Sequence, residues 1–496
     1  MNIGIDLGTT NTLACYVNDA GGISKIEFAN GRNENKCLLP SCISVDDDGN
    51  ILVGQPALDR KINAPETVLE NTKYFMGKDK SWTMGRMCID AEKAAEYILT
   101  EVYNELSGQF PNEKSFNAFV TVPARFDSQI PRMATKDALK RAGFEVNEKN
   151  ALTDEPISAA VAYSTYLSGG DTLLVVDIGG GTFDLSLIHS KIVGNSAAAD
   201  RLIPIGWDGD LFLGGNTVDE IILNLMCTQI IDEEECDLSA PPNDMRYSGE
   251  QSAAAAMLRN YIEPIKKQLY SDSDEDAEVY IDELLPDYDF DFTLSRRDYE
   301  NAMQETAQKM RDIIKRLYSR NAVEMNRTSK VLVVGGMAHE YCLVKILEEF
   351  FGRDKILIPD DSMYLVARGA AICNSNASIH VDNVAYTSIG VLIKSRTDVD
   401  TIIREGDVID ENFSAEREYS TVNKNAWEIN ITVVEYKGEF SVSSYTTLMS
   451  KVISLKKGFF VKHRTLKFSF GFTEDKILKI IVTQYDGTQT ELDVRL

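Results

Sequence analysis

Two aspartates close short apolar runs and are followed at once by glycines and a threonine. They are Asp6 in IGIDLGTTN (Ile3 to Asn11) and Asp177 in VVDIGGGTFD (Val175 to Asp184). Glycines at a strand-to-turn junction let backbone N–H groups approach phosphate oxygens with no Cβ in the way. A carboxylate at the strand end can hold a hydrated Mg²⁺ against those phosphates. One such turn is weak evidence. Two of them, about 170 residues apart, point to duplicated halves facing one nucleotide across a cleft.

Hydrolysis of a nucleotide needs phosphate donors, Mg²⁺ ligands, a positive charge near the γ-phosphate and a group that orients water. The backbone around Gly8 to Thr10 and Gly179 to Thr182 supplies donors, and two further glycine pairs, Gly214–Gly215 and Gly335–Gly336, complete a cradle. The last pair follows a strong strand pattern, KVLVVGG, and precedes a helical one, which suits an adenosine or phosphate contact at a helix N-terminus. Taken singly, each glycine pair reads first as a plain tight turn; their joint order carries the argument.

These residues need elements to position them. FVTVPA (Phe119 to Ala124), TLLVVDIG (Thr172 to Gly179) and KVLVVGG (Lys330 to Gly336) are nearly continuous apolar runs, as expected of strands buried on both faces of an α/β sheet. Helices are expected over 133–142, 155–167, 252–269 and 297–318, and YDFDFTL alternates like a hairpin strand of a subdomain. After Asn374 the texture changes. SNASIHVDN (Ser375 to Asn383) is a polar hinge. Beyond it WEINITVVEY, LKFSFGF and KILKIIVTQY alternate with period two, and Asp486-Gly487 signals a hairpin. The expected organisation is an α/β nucleotide-binding domain over 1–374, a linker over 375–383 and a β-sandwich over 384–496.

Composition narrows the function. The 496 residues are 44% apolar and 26% charged, as in soluble globular proteins. The net charge is −26, with acidic runs at Asp232 to Asp237 and Asp272 to Glu278 that read as solvated loops. Such a field repels phosphate backbones and excludes nucleic acid as a natural partner. No apolar run reaches the ~18–20 residues of a membrane helix. MNIGIDLG begins directly as a strand, which leaves no room for a leader. Eight scattered cysteines without a CxxC pair, and four separated histidines, disfavour zinc and disulfides and fit a reducing cytoplasm.

Together the motifs resemble the heat-shock seventy-kilodalton (DnaK-type) chaperone family of the actin-like ATPase superfamily. IGIDLGTTN is similar to its first phosphate loop, VVDIGGGTFDLSL to its second and LGGNTVDE to the following turn. TVPARFDSQIPRMATKDALKRAGFEV (Thr121 to Val146) resembles its connecting segment. TDEPISAAVAY (Thr153 to Tyr163) resembles the signature after that, IEPIKKQLYS (Ile262 to Ser271) the nucleoside-binding helix and ARGAAI (Ala367 to Ile372) the closing helix. The resemblance implies a two-lobed, duplicated ribonuclease H-like α/β fold that binds ATP or ADP with Mg²⁺.

It also implies residue roles. Asp6 and Asp177 would sit in the Mg²⁺ water shell, and Lys73 would be the lysine whose charge stabilises the transferring phosphoryl group. Glu155 would orient the attacking water or the metal shell. Thr9, Thr10 and Thr182 would contact phosphates or that water, beside Gly8, Asn11, Gly179, Gly180, Gly181, Gly214 and Gly215. Glu263, Lys266 and Lys267 would approach ribose and adenine, with Gly335, Gly336 and His339 closing the site. Without the motif, Lys73 reads as a surface lysine, Glu155 as a first-turn helix acid, and Lys266 and Lys267 as a solvated face. The chain departs from the family in having His339 where an arginine is usual, Tyr270 where a small hydroxyl residue is usual, and a linker with no leucine-rich acidic run.

The C-terminal part resembles the family's peptide-binding sandwich in pattern more than in identity. Ile389, Val391, Ile431 and Val433 are candidates for an apolar peptide pocket or for ordinary core. The helical lid that normally follows is absent from this sequence. The resemblance implies an ATP-dependent chaperone that hydrolyses ATP to control polypeptide binding by a lidless β-domain, with J-domain and nucleotide-exchange co-chaperones as possible partners. The competing readings are a nucleotide-gated scaffold for one dedicated protein partner, a small-molecule kinase of the same superfamily, and an actin-like filament former.

Overall fold

The computed structural model describes the chain apart from residues 62–63, 124–128, 147–150, 193–199, 243, 271–274, 322, 376–379, 382–383, 386, 394–395, 410–411, 422–425, 457–464, 473–476 and 496. Residues 124–128 of the connecting segment, the start of the second acidic run and most of the expected hinge therefore lie outside the described residues. The chain divides into two compact units, one of residues 1–125, 133–146 and 152–379, the other of 126–132, 147–151 and 380–496.

The larger unit holds two sheets of the same topology. In the first, strands Asn2–Leu7, Asn11–Val17 and Ile23–Lys25 form an antiparallel meander. Asn117–Val122 then pairs parallel to the first of them, and Leu152–Asp154 parallel to that. In the second, Thr172–Ile178, Phe183–Lys191 and Arg201–Asp210 form the meander, Lys330–Val334 pairs parallel to the first strand and Ile356–Leu357 follows. Strands such as Thr172–Ile178 are buried at every position, which explains why they read as unbroken apolar runs rather than alternating ones. In both halves the glycine turn joins the first two strands.

Helices cover these sheets. Ala91–Gln109 begins at Asp90, whose carboxylate accepts from the Lys93 N–H, and it buries Ala94, Ala95, Ile98, Leu99 and Val102 at helical spacing. Leu365–Ser375 lies on strand Asn2–Leu7 so closely that a Cβ on Gly4 would stand 2.0 Å from the Ala371 nitrogen. There Asn374 Nδ2 donates to the carbonyls of Ile3 (3.0 Å) and Asn117 (2.7 Å). A subdomain hairpin, Ala277–Leu285 with Tyr288–Leu294, alternates buried and exposed residues and packs its apolar face on helix Gly249–Leu269.

Two expectations are corrected. The single helix expected over 297–318 is two, Arg296–Ala302 and Gln304–Arg320, parted at the fully buried Met303. The first acidic run is only partly loop. Asp232 to Glu234 form the end of helix Gly215–Glu234, which Glu235 stops with a left-handed φ of 53°.

The smaller unit contains two four-stranded antiparallel sheets. One runs in the order Asp398–Ile403, Ser388–Ile393, Glu428–Tyr436, Thr446–Ser454. The other runs Ser414–Ser420, Thr465–Phe472, Ile477–Thr483, Gln489–Arg495. Their apolar faces share one core. The turn after Thr483 uses Gly487 at φ 83°, the left-handed geometry that the Asp-Gly pair signals. Ile389, Val391, Ile431 and Val433 all lie in the shared core, at most 4% exposed. The structure therefore gives these four the core role.

Candidate nucleotide site

The two glycine turns meet. A Cβ on Gly180 would stand 1.9 Å from Thr10 Oγ1, and one on Gly181 would stand 3.0 Å from Thr9 Cγ2. Only glycine permits this approach. The third turn docks on the second: Gly215 N donates to Gly179 O (3.0 Å) and Asn216 N to Gly180 O (2.6 Å). The fourth closes from the sheet side, where Met337 N donates to Ile178 O (3.1 Å). A Cβ on Gly335, whose φ is 93°, would fall 2.8 Å from Asp177 Oδ1. The turns around Gly8, Gly179, Gly214 and Gly335 thus gather in one place.

Beneath them lies a buried charge cluster. Lys73, on a short turn of 3-10 helix at Thr72–Phe75, donates to Glu155 Oε1 in an ion pair whose side chains are 9% and 6% exposed. Glu155 occupies the first turn of helix Glu155–Tyr163, just after strand Leu152–Asp154, where the helix dipole favours a carboxylate. Leu7, Thr72, Met76, Ala95 and Ile98 line the pocket against Lys73. Asp6 accepts from Thr121 Oγ1 at 3.1 Å. Burial, and then Glu155, push the Asp6 carboxyl up to about 7, opposed by Lys73 and the Thr121 hydrogen bond. Asp177 is raised too, by burial first and then by Glu155, Asp6 and Asp184. For Lys73, burial works against the charge, but Glu155 and Asp6 outweigh it and hold the ammonium above its ordinary value.

Four carboxylates (Asp6, Glu155, Asp177 and Asp184) thus act on one ammonium, an excess that a cation would relieve. Among the described residues no group of three or more His, Cys, Asp or Glu could hold a bare metal ion. An ion held here would take much of its shell from water and phosphate oxygens, as Mg²⁺ does. Thr10 Oγ1 is buried with no hydrogen-bond partner, a polar atom suited to a ligand oxygen. The residues present fit a magnesium–nucleotide complex.

The remaining expected residues form other groups. Lys266 is buried and paired with Asp219 Oδ1 (2.7 Å) and Glu263 Oε2 (2.8 Å), while Lys267 is 72% exposed. His339 is exposed on the turn before helix Tyr341–Phe351. The N-terminus of that helix is already capped: the buried Glu340 carboxylate accepts from Cys342 N (3.0 Å) and Leu343 N (2.6 Å). Of the adenosine or phosphate contact expected at this helix N-terminus, a phosphate would meet amides already taken by the Glu340 carboxylate. Arg32 Nε donates to Asn11 Oδ1 (2.6 Å), which anchors the end of the first turn. Sequence reasoning did not single out Thr121, Asp219 or Glu340; Thr121, as the first residue of the connecting motif, and Asp219, inside LGGNTVDE, each carried a signal.

The family model for Hsp70 protein matches residues 2–88 and 82–452. The chain belongs to the Hsp70 family. Membership brings with it the actin-like ATPase fold in the larger unit, followed by the β-sandwich. The DnaK chaperone of Elusimicrobium minutum is 30% identical over 373 residues, 75% of this chain and 56% of its own length. Those of Thermotoga petrophila and Thermotoga maritima are 28% identical over 376 residues, 75% of this chain and 58% of theirs. This Hsp70 chain thus spans under two thirds of the length of the curated relatives it matches. No described helix is long and apolar enough to cross a membrane.

Proposed function

We propose that this Hsp70-family protein binds ATP with Mg²⁺ and hydrolyses it to control the binding of a polypeptide by the β-sandwich. The observation that carries the reading is the convergence of two matched glycine turns on one buried Lys73–Glu155 pair flanked by Asp6 and Asp177. Backbone amides of Gly8 to Asn11 and Gly179 to Thr182 cradle the phosphates, with Thr9, Thr10 and Thr182 offering hydroxyls. Asp6 and Asp177 hold the hydrated Mg²⁺, which when bound neutralises charge on the phosphates. Lys73 stabilises the charge that develops on the transferring phosphoryl group. Glu155 keeps Lys73 in place and orients water. Gly214, Gly215, Gly335 and Gly336 pack the turns together, while Glu263, Lys266, Lys267 and His339 border the nucleoside.

The test is ATP hydrolysis by the purified protein with and without a panel of unfolded peptides. Peptide-stimulated turnover supports coupling of the sandwich to the nucleotide site, and absence of ATP turnover overturns the reading. A second reading, a nucleotide-gated scaffold for one dedicated partner, draws support from the burial of Ile389, Val391, Ile431 and Val433 in the core. Turnover that ignores every apolar peptide favours it. J-domain and nucleotide-exchange partners belong to the first reading, and a small-molecule kinase would need phosphate transfer to an added acceptor rather than to water.

A further inference from the structure

Phe212 is 66% exposed, yet it is not idle: its ring lies 5.2 Å from that of Tyr74 at an interplanar angle of 36°. Tyr74 directly follows Lys73. Its hydroxyl presses on the second glycine turn, where a Cβ on Gly181 would stand 1.6 Å from Tyr74 Oη. Asn216, one turn beyond Phe212, donates through Nδ2 to Asn71 Oδ1 (3.2 Å), and Asn71 holds a left-handed φ of 58° just before the Lys73 segment. Residues 71–74 and 212–216 are therefore joined by a tilted ring contact and an amide bridge, with Gly181 against Tyr74.

We propose that this contact is a clasp, with Tyr74 a positioning residue that holds Lys73 over the second phosphate turn and Phe212 its outer jaw. The proposal rests on the hydrolysis reading and adds a device to it. Lys73 sits on a short irregular turn rather than inside a long helix, so its aim depends on what grips its neighbours. A misplacement of about 1 Å at a reacting centre costs up to ~10²-fold in rate. The clasp also makes the 212–216 turn, at the start of helix Gly215–Glu234, a lever on Lys73.

The test compares wild type, Tyr74→Phe, Tyr74→Ala, Phe212→Ala and the double alanine variant for single-turnover ATP hydrolysis and for affinity toward fluorescent ADP. Because Phe212 is exposed, its substitution leaves no hole in the core. Tyr74→Ala and Phe212→Ala are each expected to lower the rate constant ~10-fold with ADP affinity within about twofold. The double variant should be no worse than Tyr74→Ala, as members of one unit are not additive. Tyr74→Phe, which keeps the ring contact, should stay within about threefold of wild type. Unchanged rates in both alanine variants, or multiplicative losses in the double, overturn the clasp. Should wild type fail to hydrolyse ATP, the hydrolysis reading falls by itself, and the clasp is then judged by hydrogen exchange at amides 72–76. Loss of protection in Phe212→Ala upholds the clasp, and unchanged protection overturns it.

Discussion

Replacing Lys73 by alanine removes the ammonium that acts on a buried group of carboxylates, so it should change stability and chemistry together. Lys73 and Glu155 are both less than a tenth exposed, and Asp6 and Asp184 also act on the lysine. Breaking a buried pair by deleting one partner costs ~3–5 kcal/mol, because the other charge is left without a counter-ion. The metal-free variant should therefore unfold at clearly lower urea than wild type at pH 8. The deficit should shrink toward pH 5.5, where Asp6 is protonated and part of the repulsion is gone. Lys73→Ala with Glu155→Gln should recover much of the stability, since no uncompensated Glu155 remains, yet recover no turnover. In single-turnover assays Lys73→Ala should keep ADP affinity and lose ~10²–10³ in rate, the range for removal of one electrostatic stabiliser. Equal stability of Lys73→Ala and wild type at pH 8 would refute the buried-pair argument. An unchanged rate would refute the assignment of Lys73.

Other perturbations follow from the same geometry. The Asp6 carboxyl stands at about 7 when folded against an ordinary 3.8, so the folded chain takes up a proton there. The stability this carries is complete below about pH 4 and is lost as pH rises through 7, on the order of 4 kcal/mol in all. Urea midpoints of the metal-free protein from pH 4.5 to 8 should fall, and Asp6→Asn should flatten that slope; parallel curves for the two proteins would count against it. Gly335→Ala puts a Cβ 2.3 Å from Ile178 O at a positive φ and should cost ~1–3 kcal/mol. It should also weaken Mg–ADP binding by displacing Asp177. Gly249→Ala, far from the site and with nothing within 4 Å of its Cβ, is the near-neutral control, and calorimetry on both decides. Ile431→Ala should destabilise the sandwich by ~2–5 kcal/mol, as a core truncation does; a variant of wild-type stability that loses peptide binding would return Ile431 to a pocket.

Local pattern made much of this legible. The runs around Val120, Val176 and Val333 are buried on both faces and read as such. The turns around Gly8 and Gly180 stood out because a strand followed by close-packed glycines has few other uses. The Asp486–Gly487 hairpin needed only two residues to declare itself. What escaped depends on partners distant in the chain. Lys266 looked available for a ligand because nothing beside it announces Asp219, which another helix supplies. Nothing in the sequence marked Glu340, yet its carboxylate takes the amides of a helix N-terminus that was expected to contact adenosine or phosphate. Period-two alternation at Ile431 and Val433 marks a buried face without saying whether a core or a groove lies behind it. The break at Met303 carries no glycine or proline, so no local rule marks it.

The seam between Leu365–Ser375 and strand Asn2–Leu7 sets a schedule for biosynthesis. The Asn374 side chain bonds to Ile3 across a sequence separation of 371 residues, so the first strand of the nucleotide unit gains its last neighbour only when nearly the whole unit has left the ribosome. At ~5–20 residues per second this is a wait of roughly 20–75 s. Throughout it, the face of that strand around Gly4 that will receive Ala371 lacks its native cover. A protein of a chaperone family is thus, during its own translation, a client-like chain, and slowing elongation between residues 300 and 370 would lengthen that exposed interval.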